Sequence, residues 1–404
     1  MDTTARNVAF VEQAYWILLG RSPSVVEIED QLGSAPAGAC LSALPHGLLS
    51  TSEFRRRRGS WRTGAPVSTD EAAVETALAA GSASADFVQR TYELLLGRHA
   101  DESGLRHYAS AIDAGTRRLD VVRALALSAE FDARAAAVPV DTRLCELANP
   151  AKWDNEEWLA ILRSLGLGDD KLSMHRKRYE FTQLLYGCER LGALSERAAF
   201  LSVGAGHEPV LYWLANRVER VVAIDLYEGA WQHERAREGD PAVLDDPLRY
   251  APFAFRSDRL AFRRMNARRL EFESDTFDVA YSLSSIEHFG GLPGAIETIR
   301  EMARVVRPGG LVVVATEYVI GGPPLDETFQ PSEIRELLAA SGLDLVEPID
   351  EQVYERYRTR PVLLAVTDPY QSPHMTVQVG DTVFTSVIAF LRKTAAPQGG
   401  SRGR

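Results

Sequence analysis

The spacing of apolar residues changes near residue 198. Before it, apolar residues recur every three or four positions, as in FVEQAYWILLGR from Phe10 and FVQRTYELLLGR from Phe87, and this spacing is typical of amphipathic helices. From Ala198 onward, short apolar runs such as AFLSV and RVVAID alternate with helical stretches. Such alternation predicts an α/β domain with a parallel sheet. We therefore expect all-α segments followed by an α/β domain.

The helical first third contains an internal repeat. Phe10, Tyr15, Gly20 and Phe54 recur 77 residues later as Phe87, Tyr92, Gly97 and Phe131. A Gly-Arg pair follows the first helix of each copy, which is a helix-end signal. We expect two small helical bundles, each with its own core, at residues 1–64 and 65–138, the second including an Ala/Ser/Gly-rich linker. The arginine run at 55–58 is interpreted as a solvated helix end, with binding of a phosphate-rich partner as the alternative.

Three further segments complete the chain of 404 residues. Residues 139–194 show helical periodicity and are expected to form a cap or connector. Residues 195–394 form the predicted α/β domain, and residues 395–404, AAPQGGSRGR with a single charge type, are expected to be a disordered tail. This length suits two or three domains.

Composition limits the classes of function. Apolar residues make up 45% and charged residues 25%, as in soluble globular proteins. A net charge of -11 favours neither nucleic acid nor an anionic membrane as partner. There is no secretory signal and no apolar run of the roughly 18 residues that a membrane span needs, so we expect a cytoplasmic protein. Cys40, Cys145 and Cys188 are widely spaced, which argues against disulfides and a metal site.

A glycine loop follows the first apolar run of the α/β domain. Gly204, Ala205 and Gly206 come directly after it, and Asp225 ends the next run, 21 residues beyond Gly204. This order is typical of a cofactor loop followed by an acid that binds the ribose hydroxyls. Dinucleotide-binding loops have a third glycine, where this chain has Glu208 or Pro209. An acid would repel a pyrophosphate, so the loop favours S-adenosylmethionine, which has an ammonium and a sulfonium, and disfavours a dehydrogenase.

The succession AFLSVGAG, RVVAIDL, FDVAYSLSS and ARVVRPGGLVVVA resembles class I S-adenosylmethionine-dependent methyltransferases over residues 175–393. The resemblance implies a Rossmann-like domain whose mostly parallel sheet carries an antiparallel C-terminal strand. It also implies a set of cofactor-binding residues, namely Gly204, Ala205, Gly206, Glu208, Asp225, Leu226, Asn266, Ala267, Ser282 and Ser284.

The chain departs from that family at two positions. Ser202 stands where an acid often holds the cofactor ammonium, and Asn266 stands where an aspartate commonly contacts the adenine amine. Either cofactor binding is weaker than usual, or Glu208 takes over from Ser202.

The repeats resemble an uncharacterised helical family that shares the pattern Y-x-x-L-L-G-R and often occurs in tandem beside surface-glycan enzymes. The resemblance covers about residues 8–135, and the second copy is the better match. It implies packing or recruitment of a protein partner and no chemistry.

Candidate chemistry lies at the ends of the later strands. SSIEHFGG places Glu287 and His288 just past the fourth strand, where open α/β sheets bind ligands. We interpret both as catalytic, with His288 as a general base; the alternative for His288 is packing over the cofactor. The candidate substrate-binding residues are His175, Arg176, Arg178, Glu317 and Tyr318. Residues 227–262 lengthen a loop and are expected to act as a lid.

The sequence thus predicts an S-adenosylmethionine-dependent methyltransferase that acts on a hydroxyl of a sugar, glycan or related polar metabolite. The acceptor class is inferred from the repeat family alone. The competing hypothesis is a scaffold protein whose methyltransferase domain binds the cofactor without turnover.

Overall fold

The computed structural model describes residues 3–25, 27–28, 32, 48–49, 52–64, 70–80, 83–136, 141–170, 173–227, 240–354, 367 and 372–394. They form two compact units. The first comprises the described residues up to 142 together with 151–156; the second comprises 143–150 and the described residues from 157 onward. The predicted tail, residues 395–404, lies outside the described residues. No helix in the described ranges is both long and apolar enough to cross a membrane.

The first unit is helical. Its helices are α1 (Thr3–Leu18), α2 (Ser52–Thr63), α3 (Glu71–Ala79), α4 (Ser84–Leu96), α5 (Glu102–Asp113), α6 (Arg118–Ala126) and α7 (Ala129–Ala136). Helix α3 occupies part of the segment interpreted as a linker, and that interpretation is wrong for these residues. Asp70 caps α3 by accepting hydrogen bonds from two backbone N–H groups of its first turn, and Val74 and Leu78 are buried. Alanine favours a helix as strongly as any residue, so an alanine-rich stretch needs only this cap and two buried side chains to be helical.

A single apolar core joins the two copies of the repeat. Tyr15 and Phe54 from the first copy and Phe87 and Phe131 from the second belong to it. The rings of Phe54 and Phe131, which occupy equivalent positions, have centroids 5.6 Å apart. The expectation of a separate core in each copy is therefore wrong. A bundle of three or four short helices buries too little apolar surface by itself, and pairing the copies increases that burial.

The same arginine contact closes the first helix of each copy. Gly20 and Gly97 have φ of 72° and 69°. A Cβ at Gly20 would lie 2.5 Å from the guanidinium carbon of Arg57, and one at Gly97 would lie 2.6 Å from that of Arg134. Both guanidinium groups donate to carbonyl oxygens at the end of the preceding helix, at 3.4 Å. These helix ends thus need glycine both for the left-handed turn and for the close approach of the arginine.

The arginine run at 55–58 differs from expectation. Arg57 is only 5% exposed. Arg58 forms an ion pair with Asp132, and its guanidinium lies 4.6 Å from the ring centroid of Phe131. The interpretation as a solvated helix end is wrong for these two residues, because the copies pack against each other through this helix.

The second unit contains one sheet. Within the described residues its strands are β1 (Glu146–Leu147), β2 (Ala199–Val203), β3 (Arg220–Asp225), β4 (Leu260–Arg264), β5 (Phe277–Leu283), β6 (Val306–Gly321), β7 (Asp344–Leu345), β8 (Thr376–Val379) and β9 (Thr382–Arg392). The order is β1-β9-β6-β5-β2-β3-β4, with β7 and β8 also paired to β9. Strands β4, β3, β2, β5 and β6 pair in parallel, and β9 is antiparallel to β6. The predicted Rossmann-like fold is confirmed.

Among the described residues from 156 onward, the α-helices are α8 (Glu156–Ser164), α9 (Arg176–Arg190), α10 (Pro209–Ala215), α11 (Gly291–Val305) and α12 (Pro331–Ala340). One-turn 3-10 helices span Pro150–Asp154, Pro241–Leu244, Pro247–Tyr250, Ser257–Arg259 and Ile286–His288. Most of the segment 139–194, predicted as a separate connector, is part of the second unit. Helix α9 packs so closely on β9 that a Cβ at Gly187 would overlap the ring of Phe390. The side chains of α9 are therefore held over the sheet.

Candidate functional site

The glycine loop turns sharply where β2 ends. Gly204 has φ of 73°, and its N–H donates to the carbonyl oxygen of Ile224 at 2.9 Å. A Cβ at Gly204 would lie 2.5 Å from that of Ser285 and 2.7 Å from the ring of Phe289. The loop, with Ala205 buried behind it, therefore passes directly beneath the segment that follows β5.

Asp225 connects this loop to the carboxyl end of β3. One of its carboxylate oxygens accepts from the N–H of Gly206 at 3.2 Å, and the other accepts from the N–H of Tyr227 at 3.3 Å. Each oxygen retains a second lone pair, which a ribose hydroxyl can use. The Tyr227 hydroxyl donates to the carbonyl oxygen of Gly206 at 3.1 Å. Sequence reasoning missed Tyr227, which is 1% exposed and fixes the loop from its other side.

The residues next to Asp225 suit an adenosine. Leu226 is 44% exposed, which is unusual for a large apolar side chain and provides a surface for a base. Asn266 is exposed and Ala267 is buried beside it. The Asn266 amide has both a donor and an acceptor, as the edge of adenine requires. The N–H of Met265 donates to the carbonyl oxygen of Asp225 at 3.0 Å, so both segments meet at one edge of the sheet.

Glu208 is half-buried and directly precedes α10, whose first residue is Pro209. Burial is the main cause of the raised pKa of Tyr281, and the charge of Glu208 adds to it. Tyr281 is the residue of β5 that pairs with Ser202 of β2. The charge of Glu208 thus acts on the strand partner of Ser202, the position where the resembled family often has an acid.

The end of β5 has an unusual backbone. Ser284 has φ of 44°, a conformation that non-glycine residues adopt only when the surroundings hold them in it. Its hydroxyl donates to Glu180 at 2.8 Å, and its N–H donates to the carbonyl oxygen of Ala315 at 2.8 Å. Ser282, two residues earlier in β5, is fully buried.

Glu180 of α9 is the centre of a buried polar cluster. It also accepts from the hydroxyl of Ser386 at 2.5 Å and from the ammonium of Lys177 at 3.1 Å. Arg176 lies 3.5 Å away. Burial opposes its charge, but Lys177, Arg176 and the hydroxyl groups together hold the pKa of Glu180 below its ordinary value. Sequence reasoning missed Glu180 and Lys177, although the spacing of three and four residues from the two basic residues to Glu180 was a signal.

Three residues that the sequence predicts to bind substrate or take part in catalysis, Arg176, Glu317 and Glu287, lie beside this cluster. Arg176 forms an ion pair with Glu317 of β6. Glu287 is 1% exposed and accepts a hydrogen bond from Thr316 at 2.7 Å. Burial, and then the charge of Glu317, raise the pKa of Glu287 to about 8. Burial also raises the pKa of Glu317, although Arg176 opposes this. The site therefore holds a carboxyl group that stays protonated near neutral pH.

His288 lies at the end of the one-turn helix after β5. Its Nδ1 atom is 3.0 Å from a carboxylate oxygen of Glu327, and its side chain is 21% exposed. Burial lowers the pKa of His288, although Glu327 opposes this. The imidazole is therefore neutral near pH 7, which is the form that accepts a proton.

Three other predicted residues lie apart from these groups. The His175 ring caps α9 by accepting from the backbone N–H two residues later at 3.1 Å. Arg178 donates to the carbonyl oxygen five residues before it at 2.9 Å. Tyr318 donates to Glu351 at 3.0 Å and, because side chains alternate along a strand, lies on the opposite face of β6 from Glu317. The structure does not bring Arg178 or Tyr318 to the buried cluster.

Residues 201–314 match a family model described as a methyltransferase domain. This segment is therefore similar to methyltransferase domains. S-adenosylmethionine is accordingly its cofactor, and the glycine loop, Asp225 and Leu226 fit it as described above. Residues 66–135 match a second family model, described as a domain of unknown function (DUF4214).

Two curated relatives resemble the methyltransferase domain. Methyltransferase GfsG of Streptomyces halstedii is 33% identical over 140 residues, which cover 35% of this chain and 44% of the relative. The 27-O-demethylrifamycin SV methyltransferase of Amycolatopsis mediterranei is 30% identical over 183 residues, covering 45% of this chain and 60% of the relative. The chain thus spans about half the length of the curated relatives it matches.

Among solved structures, geranyl diphosphate C-methyltransferase of Streptomyces coelicolor A3(2) aligns with a TM-score of 0.37 at 15% identity. The alignment covers 59% of this chain and 99% of that one.

Proposed function

We propose that the protein is an S-adenosylmethionine-dependent O-methyltransferase that acts on a hydroxyl of a sugar, glycan or related polar metabolite. The observation that carries the proposal is the neutral, half-buried His288 paired with Glu327 at the edge of a methyltransferase domain. A hydroxyl acceptor needs a base, whereas a thiolate or a neutral amine does not. A relative whose name places the missing methyl on an oxygen, 27-O-demethylrifamycin SV methyltransferase, supports an oxygen acceptor. The sugar or glycan class rests on the resemblance of the repeats.

Each part of the cofactor would be held by a different group of residues. Gly204, Ala205 and Gly206 would carry the methionine portion, and Asp225 would accept from the ribose hydroxyls. Leu226, Asn266 and Ala267 would bind the adenine, and Ser282 and Ser284 would lie on the side of the methyl group. Glu208 would bind the ammonium in place of Ser202. When bound, S-adenosylmethionine supplies an electrophilic methyl group.

The chain's own residues handle the proton. His288 accepts it from the acceptor hydroxyl as that oxygen attacks, and Glu327 orients the imidazole and stabilises the imidazolium that forms. Glu287 and Glu317, with Arg176, hold the acceptor next to His288. His175 keeps the first turn of α9 in place through its cap, so that Arg176 stays aligned.

The base assignment predicts a pH effect. His288→Ala should reduce turnover by roughly 10²–10⁴-fold, the usual contribution of a general base, with cofactor affinity nearly unchanged. Because burial lowers the pKa of His288, the wild-type rate should rise with pH through a limb below pH ~6.5 and be level near neutrality. His288→Gln should lack that limb, since an amide accepts no proton in this range.

A parallel loss of cofactor affinity and rate in His288→Ala would instead show that the imidazole packs over the cofactor. Turnover is followed by transfer of labelled methyl, and affinity by calorimetric titration with S-adenosylhomocysteine.

Cofactor choice is tested by the same titration. We expect S-adenosylhomocysteine to bind and NAD to give no heat, because Glu208 would repel a pyrophosphate. Glu208→Gln should weaken binding roughly tenfold, the loss of one charge-assisted hydrogen bond. Unchanged affinity would reduce Glu208 to an acid at a helix N-terminus.

A binding role is the second candidate, because residues 66–135 match a domain to which no chemistry is assigned; in this role the repeats would recruit a protein partner. A screen of sugars, nucleotide sugars and glycan fragments with labelled cofactor separates the two. Transfer to any of them supports the enzyme. Tight cofactor binding without transfer to any acceptor favours the scaffold.

A further inference from the structure

Three polar atoms in the buried cluster have unused hydrogen-bonding capacity. Within the described part of the chain, no hydrogen-bond partner reaches Oε1 of Glu287, Oε2 of Glu317 or Nε of Arg176. The other carboxyl oxygens are occupied: Glu287 Oε2 by Thr316, and Glu317 Oε1 by Arg176 Nη1. Glu287 and Glu317 are 1% and 7% exposed. Buried polar groups in folded proteins are nearly always paired, so these atoms point to a ligand.

The three side chains lie together at one edge of the sheet. Arg176 forms an ion pair with Glu317, and Glu287 accepts from Thr316 just past the end of β5. The charge of Glu317 raises the pKa of Glu287, and an ionised Glu287 raises the pKa of Arg176. Glu287 also directly precedes His288, the proposed base, in the one-turn helix Ile286–His288. A ligand at these atoms would therefore lie beside the proposed site of proton transfer.

The chemistry of the three atoms restricts the ligand. Glu317 Oε2 calls for a donor and the Arg176 Nε–H calls for an acceptor, while the protonated carboxyl group of Glu287 can accept or donate at Oε1. An anionic ligand would satisfy Arg176 but be repelled by the Glu317 carboxylate, and an ammonium would satisfy Glu317 but be repelled by Arg176. An apolar ligand would leave all three atoms unpaired, at a cost in affinity. Neutral hydroxyl groups donate and accept at once, and two neighbouring hydroxyls satisfy all three atoms without introducing charge.

We propose that Arg176, Glu287 and Glu317 form a diol subsite that binds two neighbouring hydroxyl groups of a neutral, polyhydroxylated acceptor. This inference rests on the proposed function, since it defines the acceptor of the same site. It makes these residues determinants of specificity, with Thr316 and Glu180 positioning Glu287 and Arg176.

The test uses the full-length protein saturated with S-adenosylhomocysteine. Methyl glycosides of the common neutral hexoses are titrated against it, together with deoxy analogues that each lack one hydroxyl, the matching uronic acids and the amino sugars. For a glycoside that binds, removing a hydroxyl of one neighbouring pair should weaken affinity at least about tenfold, as loss of a hydrogen bond to a charged group does. Removing a hydroxyl elsewhere should matter less.

Two variants test whether the preference for glycosides with neighbouring hydroxyl groups depends on the subsite. Glu317→Gln should bring the affinity ratio of diol to deoxy glycoside close to one, because the amide offers a donor where an acceptor is needed. Arg176→Lys keeps the positive charge beside Glu317 but removes the Nε donor, and should also lower the ratio. Glu297→Gln, which changes an exposed carboxylate paired with Arg268, is the matched control and should keep the wild-type ratio. Each variant is first shown to bind S-adenosylhomocysteine as the wild type does.

Several outcomes would overturn the diol subsite. They are tighter binding of uronic acids or amino sugars, an unchanged ratio in Glu317→Gln, and binding of none of the glycosides. Methyl transfer to an acceptor that lacks neighbouring hydroxyls, at the rate seen with diols, would remove the diol subsite while leaving the methyltransferase assignment in place. Failure to bind S-adenosylhomocysteine would remove both.

Discussion

Glu287 shows how burial changes the behaviour of a single carboxyl group. Its pKa rises to about 8 because it is buried next to the charge of Glu317, whereas an unfolded chain ionises glutamate near its ordinary pKa of about 4.3. The folded state therefore holds this proton more tightly than the unfolded state does. By linkage, the contribution of Glu287 to the free energy of unfolding is fully present below that ordinary pKa and is lost as pH rises to about 8.

Glu287→Gln should remove this pH dependence, because the amide resembles the protonated carboxyl and does not ionise. At about 1.4 kcal/mol per pKa unit, the wild type should lose on the order of 3–5 kcal/mol more than the variant between pH 5 and pH 8. Urea unfolding at both pH values measures this difference. Glu297→Gln is again the control, since that carboxylate is exposed and paired with Arg268. Parallel profiles for wild type and Glu287→Gln would contradict the assignment.

At the scale of the elements, the tandem copies are built by the same contacts. The pairs Arg21–Glu53 and Arg98–Glu130 are equivalent ion pairs, each 77 residues from its counterpart. Residues at equivalent positions also contact each other across the copies, as Phe54 and Phe131 do. Such self-matching contacts are what a twofold relation between two copies produces. The copies therefore stabilise one another through α2 and α7 rather than folding as independent bundles.

The glycine at the end of the first helix of each copy predicts how strongly an alanine at that position destabilises the first unit. Gly97→Ala should destabilise the first unit by more than the ~1–2 kcal/mol that a left-handed alanine costs, because Arg134 would also have to leave its carbonyl partner. Gly20→Ala should behave alike through Arg57.

Gly64→Ala is the matched control, since Gly64 also has positive φ, 69°, but no atom lies within 4 Å of its added Cβ. Midpoints of urea unfolding give the comparison. An equal loss in Gly97→Ala and Gly64→Ala would show that the arginine contact contributes nothing.

For the whole molecule, the division into two units predicts that deleting residues 1–138 leaves a folded methyltransferase domain. The segment 151–156 belongs with the first unit, but its buried Lys152 pairs with Asp141 at 3.1 Å, and this cut retains both. Helix α9, β1 and the cluster around Glu180 are also retained. We expect the truncated chain to remain monodisperse and to bind S-adenosylhomocysteine with the affinity of the full chain, as calorimetry measures it.

A cut at residue 194 is the informative comparison, because the sequence placed a domain boundary there. Removing α9 takes away Arg176, Lys177 and Glu180 and exposes the face of β9 that Gly187 packs against. We expect this shorter chain to aggregate. If it folded and bound cofactor while the longer one did not, the unit boundaries would be wrong.

Features that depend on neighbours along the chain were predictable before the fold was known. Strand, loop and acid succeed one another within residues 198–225, so the glycine loop, the position of Asp225 at the end of β3 and the parallel sheet were predictable from hydrophobic period and glycine chemistry. The duplication was likewise visible as a spacing of 77 residues. The identity of the polar side chains that are buried together became apparent only in the folded chain: Glu180 accepts from Ser284 and Ser386, which are 104 and 206 residues away in the chain. The local sequence pattern does not predict such pairs, because burial and charge coupling arise only when distant elements pack together. For the same reason, the pattern did not predict that the two copies of the repeat share one core.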